Sequence, residues 1–303
     1  MNEKYILSPL NFTGGKHKLL SQILPLFPDE IKTFFDIFCG GCNVGANVHA
    51  EKIICNDIDK KIIGLMNFFK ESNFDDLAKS VSDAIISYNL SDTKIHKYDF
   101  YGCSSANGLG SYNKNGFLKL RNDFNSMSEN SPEYFLYLYV LIIFSFNNQI
   151  RFNQNGQFNL PVGKRDFNKK MYDKLKNFLP VSRKINFTNY SFDFFDARNF
   201  DKKDFVYADP PYLITCATYN EKNAWNEKME FKLLNYLDSL NAHEIKFALS
   251  NVLSSNGKTN FILQNWIREK KYNCHHLDFS YRNSNYHKKQ ISNSTDEILI
   301  TNY

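Results

Sequence analysis

Phe205-Val206-Tyr207-Ala208-Asp209-Pro210-Pro211-Tyr212 is the stretch on which the reading of this chain turns. The first four residues form an apolar run that reads as a buried strand. Two prolines stop it, because proline has no N–H to give a ladder and restricts the residue before it. The strand end becomes a rigid ledge carrying a carboxylate, a backbone carbonyl fixed by the prolines and an aromatic face. Those groups suit a planar base with an exocyclic amine: Asp209 and the Pro210 carbonyl accept both amine hydrogens while Tyr212 stacks on the ring. Asp209, Pro210, Pro211 and Tyr212 are therefore the candidate catalytic residues, and modification of an amino group is the chemistry they suit. An ordinary proline-stopped strand would show the same residues, so the surrounding chain has to decide.

Upstream, Thr33-Phe34-Phe35-Asp36-Ile37-Phe38 runs as a strand into Cys39-Gly40-Gly41-Cys42-Asn43-Val44-Gly45-Ala46. Strand, glycine turn and helix start make the crevice in which α/β sheets hold nucleotide-like cofactors. The second strand, Lys52-Ile53-Ile54-Cys55-Asn56-Asp57, ends in an acid placed to accept hydrogen bonds from both ribose hydroxyls of an adenosine, so Asp57 is the ribose candidate. A helix N-cap ahead of Lys60–Lys70 is the structural alternative for Asp57 or Asp59. Cys39 and Cys42 also form a Cys-x-x-Cys at a helix start, as in thiol oxidoreductases, but no thioredoxin-like context surrounds them and no second pair completes a zinc site. Nearer the amino terminus, Phe12-Thr13-Gly14-Gly15-Lys16 precedes a helix-like Lys18–Leu24 segment, and paired glycines let a backbone approach a ligand closely.

From about residue 61 to 180 the strand–helix alternation lapses. Helix patterns such as Leu77–Tyr88 and Tyr134–Phe146 flank a polar glycine-and-asparagine loop around Tyr101–Gly116, and the stretch reads as an insertion between two strands of one sheet. Its end, Phe146 to Arg165, carries Asn155-Gly156 between alternating residues, a strong hairpin signal. Amides and Arg151 are the side chains that read base edges, and Lys164, Arg165, Lys169 and Lys170 suit phosphates. The sheet resumes at Lys184–Thr188 and continues through Tyr190–Phe194, the central ledge, Ile245–Leu249, Cys274–Tyr281 and Glu297–Asn302, giving seven strands.

The 303 residues, 43% of them hydrophobic and 16% aromatic, are enough for a sizeable core in one large domain or two, and a net charge of +5 permits a nucleic-acid partner without requiring one. No apolar run is long enough for a signal peptide or membrane span, and six scattered cysteines fit reduced thiols, so a cytoplasmic protein is expected. Seven histidines show no metal-ligand spacing, and no metal is expected.

The motifs, in this order, resemble the Dam-type alpha group (D12 class) of S-adenosylmethionine-dependent DNA adenine-N6 methyltransferases. An Asp in first place of Asp209-Pro210-Pro211-Tyr212 is similar to the adenine-N6 type. The resemblance implies an α/β fold: a seven-stranded, mostly parallel, Rossmann-like methyltransferase sheet from residues 1–60 and 181–303. A mainly helical target-recognition domain with a β-hairpin, residues 61–180, is inserted. It implies S-adenosylmethionine contacts from Phe12, Lys16 (through the carboxylate of the methionine part), Phe38, Gly40, Asp57, Ser191, Phe192 and Asp209, with Asp193 in reserve. Phe12 replaces a Trp common in relatives, and Cys42 replaces the second glycine of the Phe-x-Gly-x-Gly loop. The hairpin is similar to the family's DNA-binding hairpin in Arg-aromatic-Asn, Gly-x-Phe-Asn and Pro-x-Gly, which implies double-stranded DNA contacts from Asn147, Gln149, Arg151, Asn153, Pro161, Lys164 and Arg165. Lys288 and Lys289 are further candidates for DNA. The implied function is site-specific methylation of adenine N6 after base flipping. An RNA adenine methyltransferase and a non-catalytic DNA-binding protein are the alternatives. GATC is the first expectation for the site against other short adenine-containing sequences, and a cognate restriction endonuclease is a possible partner.

Overall fold

A computed structural model describes residues 5–12, 14–215, 225–278 and 295–303; Lys288 and Lys289 lie outside them. The helices are α1 (Leu20–Ile23), α2 (Lys60–Glu71), α3 (Phe74–Ser87), α4 (Gly110–Ser126), α5 (Tyr134–Phe144), α6 (Lys169–Ser182), α7 (Glu227–Ala242) and α8 (Phe261–Lys270). The strands are β1 (Thr33–Asp36), β2 (Lys52–Asn56), β3 (Ile185–Thr188), β4 (Phe205–Ala208), β5 (Lys246–Ser255), β6 (Lys258–Thr259), β7 (Asn273–Leu277) and β8 (Thr295–Thr301). Two compact units result: Met1–Gly15 with Gly40–Ala46 and Lys60–Lys184, and Lys16–Cys39 with Asn47–Asp59 and Ile185–Tyr303.

The second unit is one sheet in the order β3-β2-β1-β4-β5-β8-β7, with the two-residue β6 pairing only with β5. β3, β2, β1, β4 and β5 are parallel, while β8 enters antiparallel between β5 and β7. The β4 run alternates as a strand buried on both faces must. Val206 and Ala208 join a core with Leu233, Leu237 and Leu240 of α7 and Leu263 of α8, while Phe205 and Tyr207 pack on Phe27 and Phe34 across the sheet. β8 follows the same rule, with Ile298 and Ile300 in the α7–α8 core and Glu297 on the opposite face, beside Lys16. A bulge in β5 between Val252 and Ser254 sits where Glu297 pairs with Val252.

Two expectations are corrected here. Tyr190–Phe194 does not continue the sheet: Phe192–Phe194 is a 3-10 turn. The cause is Asn56, fully buried, whose amide accepts from the Tyr190 N–H at 2.9 Å and donates to its carbonyl at 3.0 Å, consuming the groups a strand would pair. The Tyr101–Gly116 loop is also shorter than its composition suggests, because Gly110 already opens α4. Gly116 serves close packing and not a turn: a Cβ there would meet the Tyr88 carbonyl oxygen at 2.0 Å.

The first unit is helical, with the apolar α5 at its centre; eight of its eleven residues are buried. The Phe146–Arg165 segment is a narrow antiparallel loop with isolated bridges at Ser145–Val162 and Phe152–Phe158 and no full-length strand. Backbone bonds from Asn153 N to Gln157 O (2.8 Å) and from Asn159 N to Arg151 O (3.2 Å) close it. Asn125 of α4 holds it from behind, accepting from Phe158 N and donating to Phe158 O. Among the described residues no helix is long and apolar enough to cross a membrane.

Candidate active site

The prolines after Ala208 end β4 at the carboxyl edge of the sheet, and Asp209 continues its alternation onto the face that Tyr207 occupies. There Lys16, 3% exposed, places Nζ 2.8 Å from Asp209 Oδ1 and 3.4 Å from Glu297 Oε1. The Tyr212 hydroxyl lies 2.9 Å from the same Asp209 oxygen and 3.1 Å from Glu297 Oε1. The Lys16 ammonium also sits 4.9 Å from the centre of the Tyr212 ring. One face of that ring is therefore taken, and a base can stack only on the other. Asp36, at the end of β1, belongs to the same cluster, and its Oδ1 is buried with no hydrogen-bond partner in the structure.

Three carboxyl groups share this face with one ammonium. Burial raises Asp209 above the ordinary carboxylate range; Lys16 and Tyr212 pull it down in part, and the charge of Glu297 pushes it up. Burial, reinforced by Asp209, raises Asp36 well above that range, against a backbone bond from Phe38. Burial likewise raises the Tyr212 phenol, so it stays a proton donor.

The second unit also brings the adenosine candidates to this edge. Asp57 follows β2, and its Oδ1 accepts the Asp59 N–H at 2.9 Å, so it makes the N-terminal turn of the structural alternative as well. Phe38 packs on Phe192 with ring centres 5.3 Å apart, and Trp225 meets Phe38 edge-on at 5.6 Å. Ser191 Oγ bonds Asp193 Oδ1, and the other oxygen of Asp193, Oδ2, pairs with Lys232 at 2.8 Å. Sequence reasoning missed Glu297, Asp36, Asn56 and Trp225. Asp36 had a findable signal, being the one charge in an otherwise apolar strand; Glu297, which follows Asp296, did not stand out in the same way.

In the first unit, Phe12 lies across Gly40: a Cβ on Gly40, whose φ is +44°, would meet the Phe12 ring at 3.0 Å. Cys42 is fully buried with φ +59°, the left-handed conformation that a glycine adopts without cost. Replacing Cys42 with glycine is accordingly expected to change stability by no more than about 1 kcal/mol, because backbone relief offsets the greater freedom of an unfolded glycine. Thermal unfolding checks it, and a large loss would show that the buried thiol matters more than the backbone. Asn147 and Asn148 are both left-handed, at φ +54°, and the Asn147 carbonyl accepts the Asn11 amide at 2.7 Å. Arg151 is exposed and bonded to Asn159 Oδ1 at 2.8 Å, while Asn153 caps the loop turn. Pro161, Lys164 and Arg165 are exposed and Gln149 half-buried.

The chemistry of the residues present fits S-adenosylmethionine: a carboxylate, Asp57, follows β2 where ribose hydroxyls would need an acceptor, and the Phe38–Phe192 ring pair offers flat apolar faces for an adenine.

The strand order with its antiparallel penultimate strand, and a strand ending in Asp-Pro-Pro-Tyr beside a buried lysine, define an α/β domain of the methyltransferase class. A family model described as D12 class N6 adenine-specific DNA methyltransferase matches residues 12–281, and the chain belongs to that family. It is 41% identical over 99% of its length to Modification methylase StsI of Streptococcus sanguinis and, over the same share, to Type II methyltransferase M.FokI of Planomicrobium okeanokoites. Modification methylase LlaI of Lactococcus lactis subsp. lactis is 31% identical over 98% of the chain. The chain spans 43% of the length of each of these relatives.

Proposed function

We propose that the chain methylates N6 of adenine within a short sequence of duplex DNA, with the target base flipped out to Asp209-Pro210-Pro211-Tyr212. The observation that carries this reading is the strand-end carboxylate of Asp209, held by Lys16 and Tyr212 at the edge of the sheet. S-adenosylmethionine supplies, when bound, a methyl group on a positively charged sulfur. Asp57 holds the ribose hydroxyls, and Phe38 and Phe192 with Ser191 or Asp193 hold the adenine end. Phe12 and Gly40 are assigned to the same ligand by their motifs. Lys16, also so assigned, in addition balances the charge of Asp209.

The N6 lone pair of adenine is delocalised into the ring and weakly nucleophilic. Asp209 and the Pro210 carbonyl, accepting the two amine hydrogens, favour a more pyramidal nitrogen with a localised lone pair. Tyr212 replaces the stacking that the base loses on leaving the duplex. The work is positioning and electrostatics, which a rigid proline-fixed ledge performs well.

Asn147, Gln149, Arg151, Asn153 and Pro161 are the proposed base-reading group, and Lys164 and Arg165 meet phosphates. Arg151 would exchange its Asn159 partner for a guanine edge. The names of the longer relatives, two modification methylases and a Type II methyltransferase, support a modification role; a restriction endonuclease acting on the same site is the proposed partner and the cytoplasm the proposed place.

Incubation with labelled S-adenosylmethionine and either duplex DNA or RNA tests the proposal. N6-methyladenine at one DNA sequence is expected. Methylated RNA alone would move the substrate class, and no transfer to either would leave a DNA-binding protein.

A further inference from the structure

We infer that Glu297 is a positioning residue for methyl transfer: its carboxylate takes over Lys16 and Tyr212 when Asp209 turns to the substrate amine. The inference rests on the role proposed for Asp209 and extends it to a strand on which no part of the Asp-Pro-Pro-Tyr ledge lies.

The argument is a count of donors. Asp209 Oδ1 accepts from Lys16 at 2.8 Å and from Tyr212 at 2.9 Å, so that oxygen is filled before any substrate arrives. The second oxygen, Oδ2, remains for an amine hydrogen, but two donors on Oδ1 draw charge from the same carboxylate and weaken its hold on the amine unless they have another acceptor within reach. Glu297 Oε1 is that acceptor, 3.1 Å from the Tyr212 hydroxyl and 3.4 Å from Lys16 Nζ. Tyr212 has one hydroxyl proton and two carboxylate oxygens beside it, so it donates to one at a time. A shift of a few tenths of an ångström moves the bond from Asp209 to Glu297 and leaves no buried donor unpaired.

Stability alone does not call for this residue. Glu297 is 1% exposed and stands directly before Ile298-Leu299-Ile300, and a buried carboxylate and its partner are often replaceable by apolar groups of similar volume at no loss. The ionisable groups that face it include Lys16, Asp209, Tyr212 and Tyr207 of β4, which bonds Ser250 of β5 at 2.7 Å; Asp36 of β1 faces Asp209. Its neighbour on β7 is Leu277.

The test is the pH dependence of single-turnover methylation for the wild-type chain, Glu297→Gln and Glu297→Asp, with cofactor and DNA affinities measured separately. Glu297→Gln is expected to lose about tenfold or more in rate at neutral pH while both affinities stay within about threefold, the pattern of an interaction felt in the transition state. Its acid limb should move to lower pH, because the charge that opposes ionisation of Asp209 is gone. Glu297→Asp should recover part of the rate and the original limb. A wild-type rate, an unmoved limb, or a rate loss matched by lost cofactor affinity would each overturn the inference. Should Glu297→Gln fail to fold, Tyr212→Phe reads the same bridge: losing a donor to Asp209 must move the limb upward, and an unmoved limb overturns it. A wild-type chain that methylates no adenine would overturn the proposed function itself, whereas an active wild type with an indifferent Glu297→Gln overturns only this inference.

Discussion

Replacing Asp209 with alanine is expected to lower the single-turnover rate of adenine methylation by about 10²- to 10⁴-fold, the range for a group that acts on a proton of the reacting atom. The fold should survive. Lys16 keeps Glu297 at 3.4 Å, so its buried ammonium is not stranded when Asp209 goes. Asp209→Asn separates two roles, since its amide still offers one acceptor oxygen but no charge; it should fall between wild type and alanine. Quenched-flow measurement with saturating cofactor and DNA reads the chemical step. An alanine variant turning over near the wild-type rate would remove Asp209 from the mechanism and leave the ledge as a stopped strand.

The second large effect belongs to Tyr212. Stacking of a base on an aromatic side chain is worth about 1–3 kcal/mol, so Tyr212→Ala should weaken the flipped state by about 5- to 150-fold. Tyr212 also ties two elements together, its hydroxyl reaching Asp209 and Glu297, and alanine removes both functions. Tyr212→Phe keeps the ring and should retain the stacking while disturbing the carboxylates. Fluorescence of 2-aminopurine at the target position reports the extrahelical base. A signal unchanged in the alanine variant would count against stacking, and the search for the partner of the base would move to other aromatic side chains at this edge.

How much of this was legible in the chain depends on whether local pattern or distant contact decides. β1, β2 and β4 were visible because short apolar runs stopped by glycine, an acid or proline have few other readings. The Phe146–Arg165 loop announced itself through Asn155-Gly156 and its flanking amides. Phe192–Phe194 misled because its composition suits a strand, and only a side chain 134 residues before Tyr190, that of Asn56, takes the backbone of Tyr190 out of the ladder. Gly116 misled in the opposite direction, since a glycine needed for close packing and one needed for a turn look alike. The clustering of Lys16, Asp209 and Glu297 was beyond reach without topology: three residues spread over almost the whole chain meet because β8 enters the sheet antiparallel and presents its beginning where its neighbours end.

The bulge in β5 bears on which changes this chain can absorb. Glu297 apart, side chains on β5 and β8 can be exchanged one at a time, each at the cost of its own packing. A single-residue deletion in β5 between Val252 and the sheet edge is a different event, because strand faces alternate and the bulge sets which residue of β8 meets Val252. A slip by one position would turn Ile298 or Asp296 toward Lys16 in place of Glu297. Glu297 apart, length more than identity is what this pair of strands must preserve, and insertions or deletions there are felt more than 40 residues away in the chain, at Asp209.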